Sequence, residues 1–285
     1  MTVTPVTITA NSYGKSEVRL VTVRRGPDRH ELKDVTVAIR LEGDFAAAYT
    51  QGDNTGVVAT DTMKNTVYAL AAEHPFDDVE DFGLALTAHL TKIYPQVSSA
   101  RVELTEHLWE RIEAAGPHPH AFRRAGSERR TAVVTRDHDT VHVLAGLEDL
   151  VVMKTAKSAF EGFPRDRWTT LKETGDRLLA TALRATWRYS RPDVPGIPFG
   201  RLWSDVRRVL LETFAEHDSR SVQHTLYAMG EAVLETLDVE EIHLAMPNRH
   251  HLPVDLTPFG QENRNEIFVA TTEPYGLIEA TLRRG

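Results

Sequence analysis

Hydrophobic and polar positions alternate regularly in the first part of the chain, which indicates strands. Segments 5–26 and 33–43 alternate Val, Ile, Thr and Leu with polar residues, as in VRLVTVRR and VTVAIRLEG. A period of about two is typical of strands that bury one face. The stretch Gly-Pro-Asp-Arg-His at 26–30 predicts a hairpin turn between them, and a loop is expected at 44–55.

Apolar residues then recur with a helical period in two segments, 61–73 and 78–93. The predicted buried positions are Met63, Val67, Leu70 and Ala71 in the first helix and Phe82, Leu86, Leu90 and Ile93 in the second. Strand-like alternation returns at 98–110 and 129–136, with a loop expected around the Pro/His stretch 117–120. The first half therefore predicts the order strand, strand, helix, helix, strand, strand.

The same order is predicted again after a turn at 137–139, Asp-His-Asp. Strands are expected at 140–154, 176–189, 239–247 and 275–282, and helices at 200–216 and 221–237. The last helix places Val222, Leu226, Met229 and Val233 on one face. Because the two halves share little sequence identity, the repeat is one of architecture.

This order predicts an α+β protein built from two tandem domains, residues 1–138 and 139–285. In each domain a four-stranded antiparallel sheet with two helices on one face would bury the apolar side of every element. Such a sheet leaves edge strands exposed, and copies arranged about an axis would cover them by closing a barrel. We therefore expect an oligomer.

Composition narrows the classes of function. The chain has 285 residues, 41% of them hydrophobic and 26% charged, as in ordinary globular proteins. Its formal net charge of -8 argues against a general nucleic-acid-binding protein. The absence of cysteine excludes disulfides, thiolate metal sites and cysteine nucleophiles. Since the sequence has neither a signal-peptide pattern nor an apolar run of about 20 residues, a cytoplasmic protein without a membrane span is expected.

Motifs that bind cofactors are missing from the sequence. It contains no Walker loop, Rossmann fingerprint, Gly-x-Ser-x-Gly or His-Glu-x-x-His. The histidines of HPH at 118–120 and HH at 250–251 are metal ligands by type, but neither cluster has a partner pair at zinc-like spacing. The histidine spacing therefore does not favour a metal site, and the motifs indicate no particular cofactor.

Several polar residues stand where they suggest a ligand, although each has an ordinary structural explanation. They are Lys15 within a strand arm, Arg177 at the start of an apolar strand, Gln223 in the first turn of a helix with Ser221 as N-cap, and Asn248 and His250 directly after a strand. In GVVATDTMKNTVY, residues 56–68, Thr60 and Asp61 are predicted to cap a helix whose N-terminus also suits an anion.

Six motifs, taken together and in this order, resemble the urate oxidase (uricase) family. They are YGK at 13–15, VVATDTMKNTVY at 57–68, SAFEGFPRDRWTTLKET at 158–174, DRLLATALRATW at 176–187, SVQHTLY at 221–227 and PNRHH at 247–251. The resemblance implies two tandem tunnelling-fold (T-fold) domains and a homotetramer with active sites at subunit interfaces. It also implies that urate, dioxygen and water are converted to 5-hydroxyisourate and hydrogen peroxide without a cofactor.

The resemblance further implies a role for each matching residue. Those that would contact urate are Thr60, Asp61, Phe160, Leu171, Arg177, Val222, Gln223, Asn248 and Ile278. Arg177 would hold one edge of the purine with its planar fork, Gln223 would offer a donor and an acceptor, and Phe160 would stack on the ring. Lys15, Thr60 and His250 match the proton relay of the family, and Asn248 would hold dioxygen or water.

Two alternatives remain open from the sequence. One is another T-fold enzyme acting on purines or pterins, although such enzymes typically need zinc with cysteine or clustered histidine ligands. The other is a catalytically silent purine-binding protein, which would not need Lys15, Thr60 and His250 together.

Overall fold

The computed structural model describes residues 6–138, 140–189, 196–271 and 273–285. The chain forms two compact units. One contains the residues up to Ala145 together with a short segment that ends at Gly200. The other begins at Gly146 and includes Arg201–Gly285.

The first unit combines one antiparallel sheet with helices. Its elements are β1 (Tyr13–Arg25), β2 (His30–Gly43), α1 (Ala46–Thr50), α2 (Thr60–Glu73), α3 (Val79–Ile93), β3 (Val97–Glu113) and β4 (Pro117–Asp137). The strands pair antiparallel in the order β1-β2-β3-β4. Every second residue of β2 from Val35 to Leu41 is fully buried and joins α2 and α3 in one apolar core. The alternation that predicted this strand therefore reflects a sheet covered on one face.

Further along the chain the same order of elements returns. They are β5 (Thr140–Lys154), β6 (Leu179–Tyr189), α4 (Phe199–Glu216), α5 (Val222–Thr236), β7 (Val239–Asn248), β8 (His251–Pro253), β9 (Phe268–Ala270) and β10 (Gly276–Arg283). The strands β5, β6, β7 and β10 lie side by side in that order, and β7 pairs antiparallel with both β6 and β10. The short strands β8 and β9 form a separate antiparallel pair. The predicted α+β class, with helices and antiparallel strands in both halves of the chain, is confirmed.

The helix faces follow the sequence pattern with one exception. The predicted apolar positions of α2 and α5 are all buried, as are Phe82, Leu86 and Leu90 of α3. Ile93 was expected to be buried with them but is 53% exposed. Ile93 is the last residue of α3, and Leu90, one turn earlier, is the last residue of this helix that packs in the core. None of the described helices is long and apolar enough to cross a membrane.

Several predicted boundaries are wrong. Residues 6–12 are not strand, while Pro5 lies outside the described residues, and α1 occupies part of the predicted loop at 44–55. The stretch 117–120 begins β4 instead of forming a loop. There the β3–β4 hairpin continues with mostly exposed residues, so no apolar alternation marks it. Of the predicted turn at 137–139, Asp137 ends β4, His138 has a left-handed φ of 49°, and Asp139 is outside the described residues.

A buried ion pair joins α3 to β4 in the first unit. Nη2 of Arg130 lies 2.5 Å from Oε2 of Glu80, and its Nη1 lies 3.1 Å from Oδ1 of Asp78. Both Glu80 and Arg130 are buried. Burial raises the pKa of Glu80 to about 7, although the positive charge of Arg130 acts in the opposite direction. Glu80 therefore holds a proton at pH values where an unfolded glutamic acid has lost it.

We expect the parent protein to lose stability as pH rises through the pKa of Glu80, and we expect the variant Glu80→Gln to lose less. The pKa of Glu80 is raised from 4.5 to about 7 in the folded state, so the native protein binds the extra proton. This stabilisation is complete below the unfolded-state pKa and disappears as pH rises through the folded-state pKa. Thermal melting across that window should show a loss on the order of 3 kcal/mol in the parent and a smaller one in the variant.

The matched control for this experiment is Glu103→Gln. Glu103 is a half-exposed carboxylate paired with Arg101, so its removal should leave the pH dependence of stability unchanged. Equal pH slopes for Glu80→Gln and the parent protein would contradict the role assigned to Glu80.

Candidate functional site

A cavity of about 410 Å³ opens in the second unit. Its lining contains many of the residues singled out in the sequence: Phe160, Leu171, Arg177, Val222, Gln223, Asn248, His250 and Ile278. They come from the segment before β6, the start of α5, the end of β7 and the strand β10. A mostly apolar pocket of this size with a few convergent polar groups is typical of a small-molecule site.

Arg177 contributes a partly buried positive charge to the cavity. Its guanidinium carbon lies 5.2 Å from the centroid of the Phe160 ring, which is within the range of a cation–π contact. Its Nε is buried and has no hydrogen-bond partner among the described residues. Burial lowers the pKa of Arg177, although an arginine remains charged at neutral pH. The site thus presents a partly desolvated cation beside an aromatic face, which suits a flat anion.

Backbone hydrogen bonds fix the segment that carries Phe160 and Arg177. Phe160 and Thr174 exchange two backbone bonds of 2.8 and 3.1 Å, and the N–H of Arg177 donates to the carbonyl of Ser158 at 2.7 Å. The ring of Phe160 stacks on that of Phe163, with centroids 5.0 Å apart. The segment also pairs with the residues before α5, since Ala159 N–H donates to the carbonyl of Ser219 at 2.7 Å.

The start of α5 forms a second wall of the cavity. Ser221 is its N-cap, and its side chain accepts a hydrogen bond from the N–H of His224, so the predicted cap is confirmed. Val222 is buried against the core, whereas Gln223 is exposed and reaches the cavity. The cap leaves first-turn N–H groups of the helix available to an anion.

The end of β7 brings Asn248 and His250 to the same cavity. Asn248 is 8% exposed, and its Nδ2 lies 3.5 Å from Nδ1 of His250. The carbonyl of His250 accepts two hydrogen bonds from Thr271, from the N–H at 2.9 Å and from the hydroxyl at 3.1 Å. The N–H of Arg249 donates to the carbonyl of Ala180 at 2.9 Å. The backbone of the turn after β7 is therefore held on both sides of His250.

Lys15, Thr60 and Asp61 belong to the first unit. Lys15 lies on β1 opposite Ile39 of β2, and the register slips between Lys15 and Val18, which marks a bulge. Glu17, inside this bulge, has a left-handed φ of 58°. A bulge changes the direction of neighbouring side chains and is common beside functional sites. Lys15 is half-buried, whereas Thr60 and Asp61 are exposed.

The predicted cap at the start of α2 is wrong. Ala59 is the N-cap residue and no side chain caps the helix, so Thr60 is its first helical residue. The carboxylate of Asp61 instead accepts hydrogen bonds from two side chains one turn further along α2, Lys64 at 2.5 Å and Asn65 at 2.9 Å. The bond from Lys64 lowers the pKa of Asp61, and the charge of Lys15 contributes in the same direction. The first N–H groups of α2 therefore lack a side-chain acceptor from the cap.

Some residues that line the cavity were not found from the sequence. Asp176 accepts the N–H of Ser158 at 3.2 Å and closes the segment before β6. Asn265 and Phe268 reach the cavity from the excursion between β7 and β10. Asn265 has a φ of 66°, which asparagine tolerates better than most residues. No hydrophobic period marks this excursion, so only the structure places its residues.

The histidines that are metal ligands by type lie in two places. His118 and His120 are on β4, with ring centroids 4.5 Å apart, and His250 and His251 line the cavity. In the part of the chain that is described, no group of three or more histidine, aspartate or glutamate side chains could hold a metal ion.

Comparison with known proteins gives one consistent result. The sequence model of the family described as uricase matches residues 11–135 and 143–279. The chain is 49% identical to the uricase of Arthrobacter globiformis over 99% of this chain and 91% of that protein. It is 37% identical to the uricase of Dictyostelium discoideum, with 98% of each chain covered. The crystal structure of the Arthrobacter globiformis uricase superposes with a TM-score of 0.93 over 99% of this chain and 96% of that chain.

Proposed function

Because the chain belongs to the uricase family, we propose that the cavity of the second unit is its urate site. The activity of the chain is the oxidation of urate, and the chain is an oxidoreductase. The observation that carries the proposal is the partly buried guanidinium of Arg177 beside the Phe160 ring. We also propose that residues 1–138 and 139–285 are two T-fold domains and that the protein acts in the cytoplasm.

Urate is a flat anion, and the lining of the cavity offers a partner for each of its surfaces. Arg177 offers a planar fork of donors to one edge of the ring, and Gln223 adds a donor and an acceptor. Phe160 covers one face, and Asn248 supports dioxygen or water above the other. Leu171 and Ile278 form apolar walls, and Val222 contributes its backbone N–H. Urate is therefore bound by charge at one edge of its ring and by stacking at one face.

The reaction needs protons to move so that urate can donate two electrons to dioxygen. Dioxygen takes up those electrons and two protons that urate gives up, and it leaves as hydrogen peroxide. Water then adds its hydroxyl group to a ring carbon and its remaining proton to a ring nitrogen, which gives 5-hydroxyisourate. We assign the proton relay to Lys15, Thr60 and His250, with Lys15 as the base and Thr60 as the hydroxyl that passes the proton. The residues of the chain carry this chemistry without a cofactor.

The site is shared between subunits of a homotetramer. Lys15, Thr60 and Asp61 come from the first unit of one subunit and face the cavity in the second unit of another. Two features support this assembly. β1 is a 13-residue strand at the edge of its sheet, and exposed edges of this length are normally paired. The uncapped N-terminus of α2 suits an anion that the cavity holds.

The test of this proposal combines two inactive variants, Lys15→Met and Arg177→Ala. Co-expressed with different affinity tags and purified through both, they should regain urate oxidation, because one kind of mixed site contains both natural residues. For random pairing about a quarter of the sites should be intact. Activity is followed as loss of urate ultraviolet absorbance, with hydrogen peroxide measured in parallel.

Two controls make the result decisive. The parent protein must turn over urate after treatment with a chelator, and each variant expressed alone must remain inactive. Mixed protein without activity would refute the shared site, whereas loss of parent activity on chelation would refute the cofactor-free mechanism.

A further inference from the structure

The hydroxyl of Tyr13 connects two segments that lie 45 residues apart in the sequence. It donates to the carbonyl of Val58 at 3.2 Å and accepts the N–H of the same residue at 2.8 Å. Both backbone groups of Val58 are thus satisfied by one side chain. Burial raises the pKa of Tyr13, so the hydroxyl stays protonated and keeps its role as a donor.

Each end of this link lies two residues before a residue of the proposed relay. Tyr13 precedes Lys15 on β1, and Val58 precedes Thr60 at the start of α2. Residues two apart on a strand point to the same side, and both Tyr13 and Lys15 stand before the bulge. The hydroxyl therefore ties the side of β1 that carries Lys15 to the backbone that carries Thr60.

The ring of Tyr13 is anchored independently of its hydroxyl. It meets Phe45 edge to face, with centroids 4.8 Å apart, and Phe45 is 2% exposed. Between Tyr13 and Lys15, β1 approaches β2 so closely that a Cβ on Gly14 would lie 1.7 Å from the carbonyl oxygen of Ile39. The strand and the ring are both fixed, so the hydroxyl is fixed as well.

We propose that Tyr13 is a positioning residue that sets the distance between Lys15 and Thr60 for proton transfer. The proposal rests on the relay assigned above. Proton transfer is sensitive to distance, and misplacement of a catalytic group by about 1 Å can lower a rate by about 10²-fold. Without the hydroxyl the peptide groups of Val58 lose their partner, and the segment before α2 is free to shift away from β1.

The variant Tyr13→Phe tests this, because it keeps the ring and removes only the hydroxyl. We expect kcat to fall by about 10- to 100-fold, while the Kd for urate under anaerobic conditions stays within about twofold. The pH dependence of kcat should shift by about half a unit or more, since the geometry of the proton-transferring groups has changed. Far-ultraviolet circular dichroism and the melting temperature establish that the variant is folded.

The matched control is Gln96→Leu. Gln96 donates from Nε2 to the carbonyl of Gly56 at 2.7 Å, so it holds the same segment without a link to Lys15. Its removal should lower the melting temperature about as much as Tyr13→Phe does and change kcat by no more than about twofold. An equal fall of kcat in both variants would mean that general loosening of the segment is responsible, and it would overturn the proposal.

The other outcomes separate this inference from the relay on which it rests. Full kcat in Tyr13→Phe combined with a strong loss in Lys15→Met would overturn only the positioning role. Full kcat in Lys15→Met would refute the relay itself, whatever the behaviour of Tyr13→Phe.

Discussion

The variant Lys15→Met is expected to lower kcat for urate oxidation by about 10²- to 10⁴-fold, the range that a positioned base contributes. Methionine keeps an unbranched apolar stem of similar length to that of lysine and lacks the ammonium group. Urate binding should be nearly unchanged, since its charged partner in the proposed site is Arg177. The Kd for urate measured without oxygen should therefore stay within about twofold of the parent value.

The expected size of this loss follows from how Lys15 is held. The residue is half-buried on β1, paired with Ile39, and followed by a bulge that changes the course of the strand. Such a rigid element maintains the position of a reacting group, so the loss of that group is not compensated by a mobile neighbour. A water molecule could accept the proton in place of Lys15, but it would not be held in the orientation that favours the transfer.

Lys92→Met is the matched control for Lys15→Met. Lys92 is exposed near the end of α3, so its replacement should leave kcat unchanged. Full kcat in Lys15→Met would refute the relay. A rise in Kd as large as the fall in kcat would instead move Lys15 from proton transfer to substrate binding.

The fold could be predicted from the sequence wherever one face of an element is buried. The alternation in β2 and the helical period of α2 are both consequences of a single apolar core, so the pattern carries the structure. Where that core ends, the pattern ends too. The outer part of β4 is a strand because it pairs with β3, and α1 is a single helical turn without buried residues. Neither leaves a hydrophobic period in the sequence.

Residues of the candidate site are harder to find from local pattern. An ordinary structural explanation exists within the local segment for each of Arg177, Gln223 and Asn248. From the sequence, only the family resemblance indicated that they belong to one site, and the structure shows that they line one cavity. Local chemistry also misled at α2, where Thr60 and Asp61 fit a cap but Ala59 occupies that position. Asp61 is used instead by Lys64, an interaction between side chains one turn apart that competes with capping.

The bulge after Lys15 illustrates a limit of a different kind. Glu17 takes a left-handed φ that glycine or asparagine would signal in a sequence, but a glutamate gives no such signal. The strand pattern therefore predicted the presence of β1 without the change of register that follows Lys15. The link from Tyr13 to Val58 is equally invisible in the sequence, because it joins two segments through a single hydroxyl.

Arg177→Ala should impair binding itself, which distinguishes it from Lys15→Met. We expect the anaerobic Kd for urate to rise by about 10²- to 10³-fold, since truncating one partner of a desolvated charge pair typically costs about 2–5 kcal/mol. The side chain is partly buried, its Nε lacks a partner among the described residues, and it lies on the Phe160 ring. Because the guanidinium has already lost part of its hydration in the free protein, contact with a bound anion costs little further desolvation. Most of the favourable interaction energy therefore contributes to binding.

Two further variants show which property of Arg177 matters. Arg177→Lys keeps the positive charge and loses the planar fork, so its Kd should fall between those of the parent and Arg177→Ala. Arg184→Ala, on the strand β6 that follows Arg177, removes an exposed arginine whose Nη2 lies 3.6 Å from Oε1 of Glu279, and it should leave urate binding unchanged. Isothermal titration under nitrogen measures all of them. An exposed charge is expected to contribute little to binding. Equal effects of Arg184→Ala and Arg177→Ala would therefore mean that urate is attracted by the overall electrostatic potential of the protein. That result would refute the proposal that the cavity is the urate site.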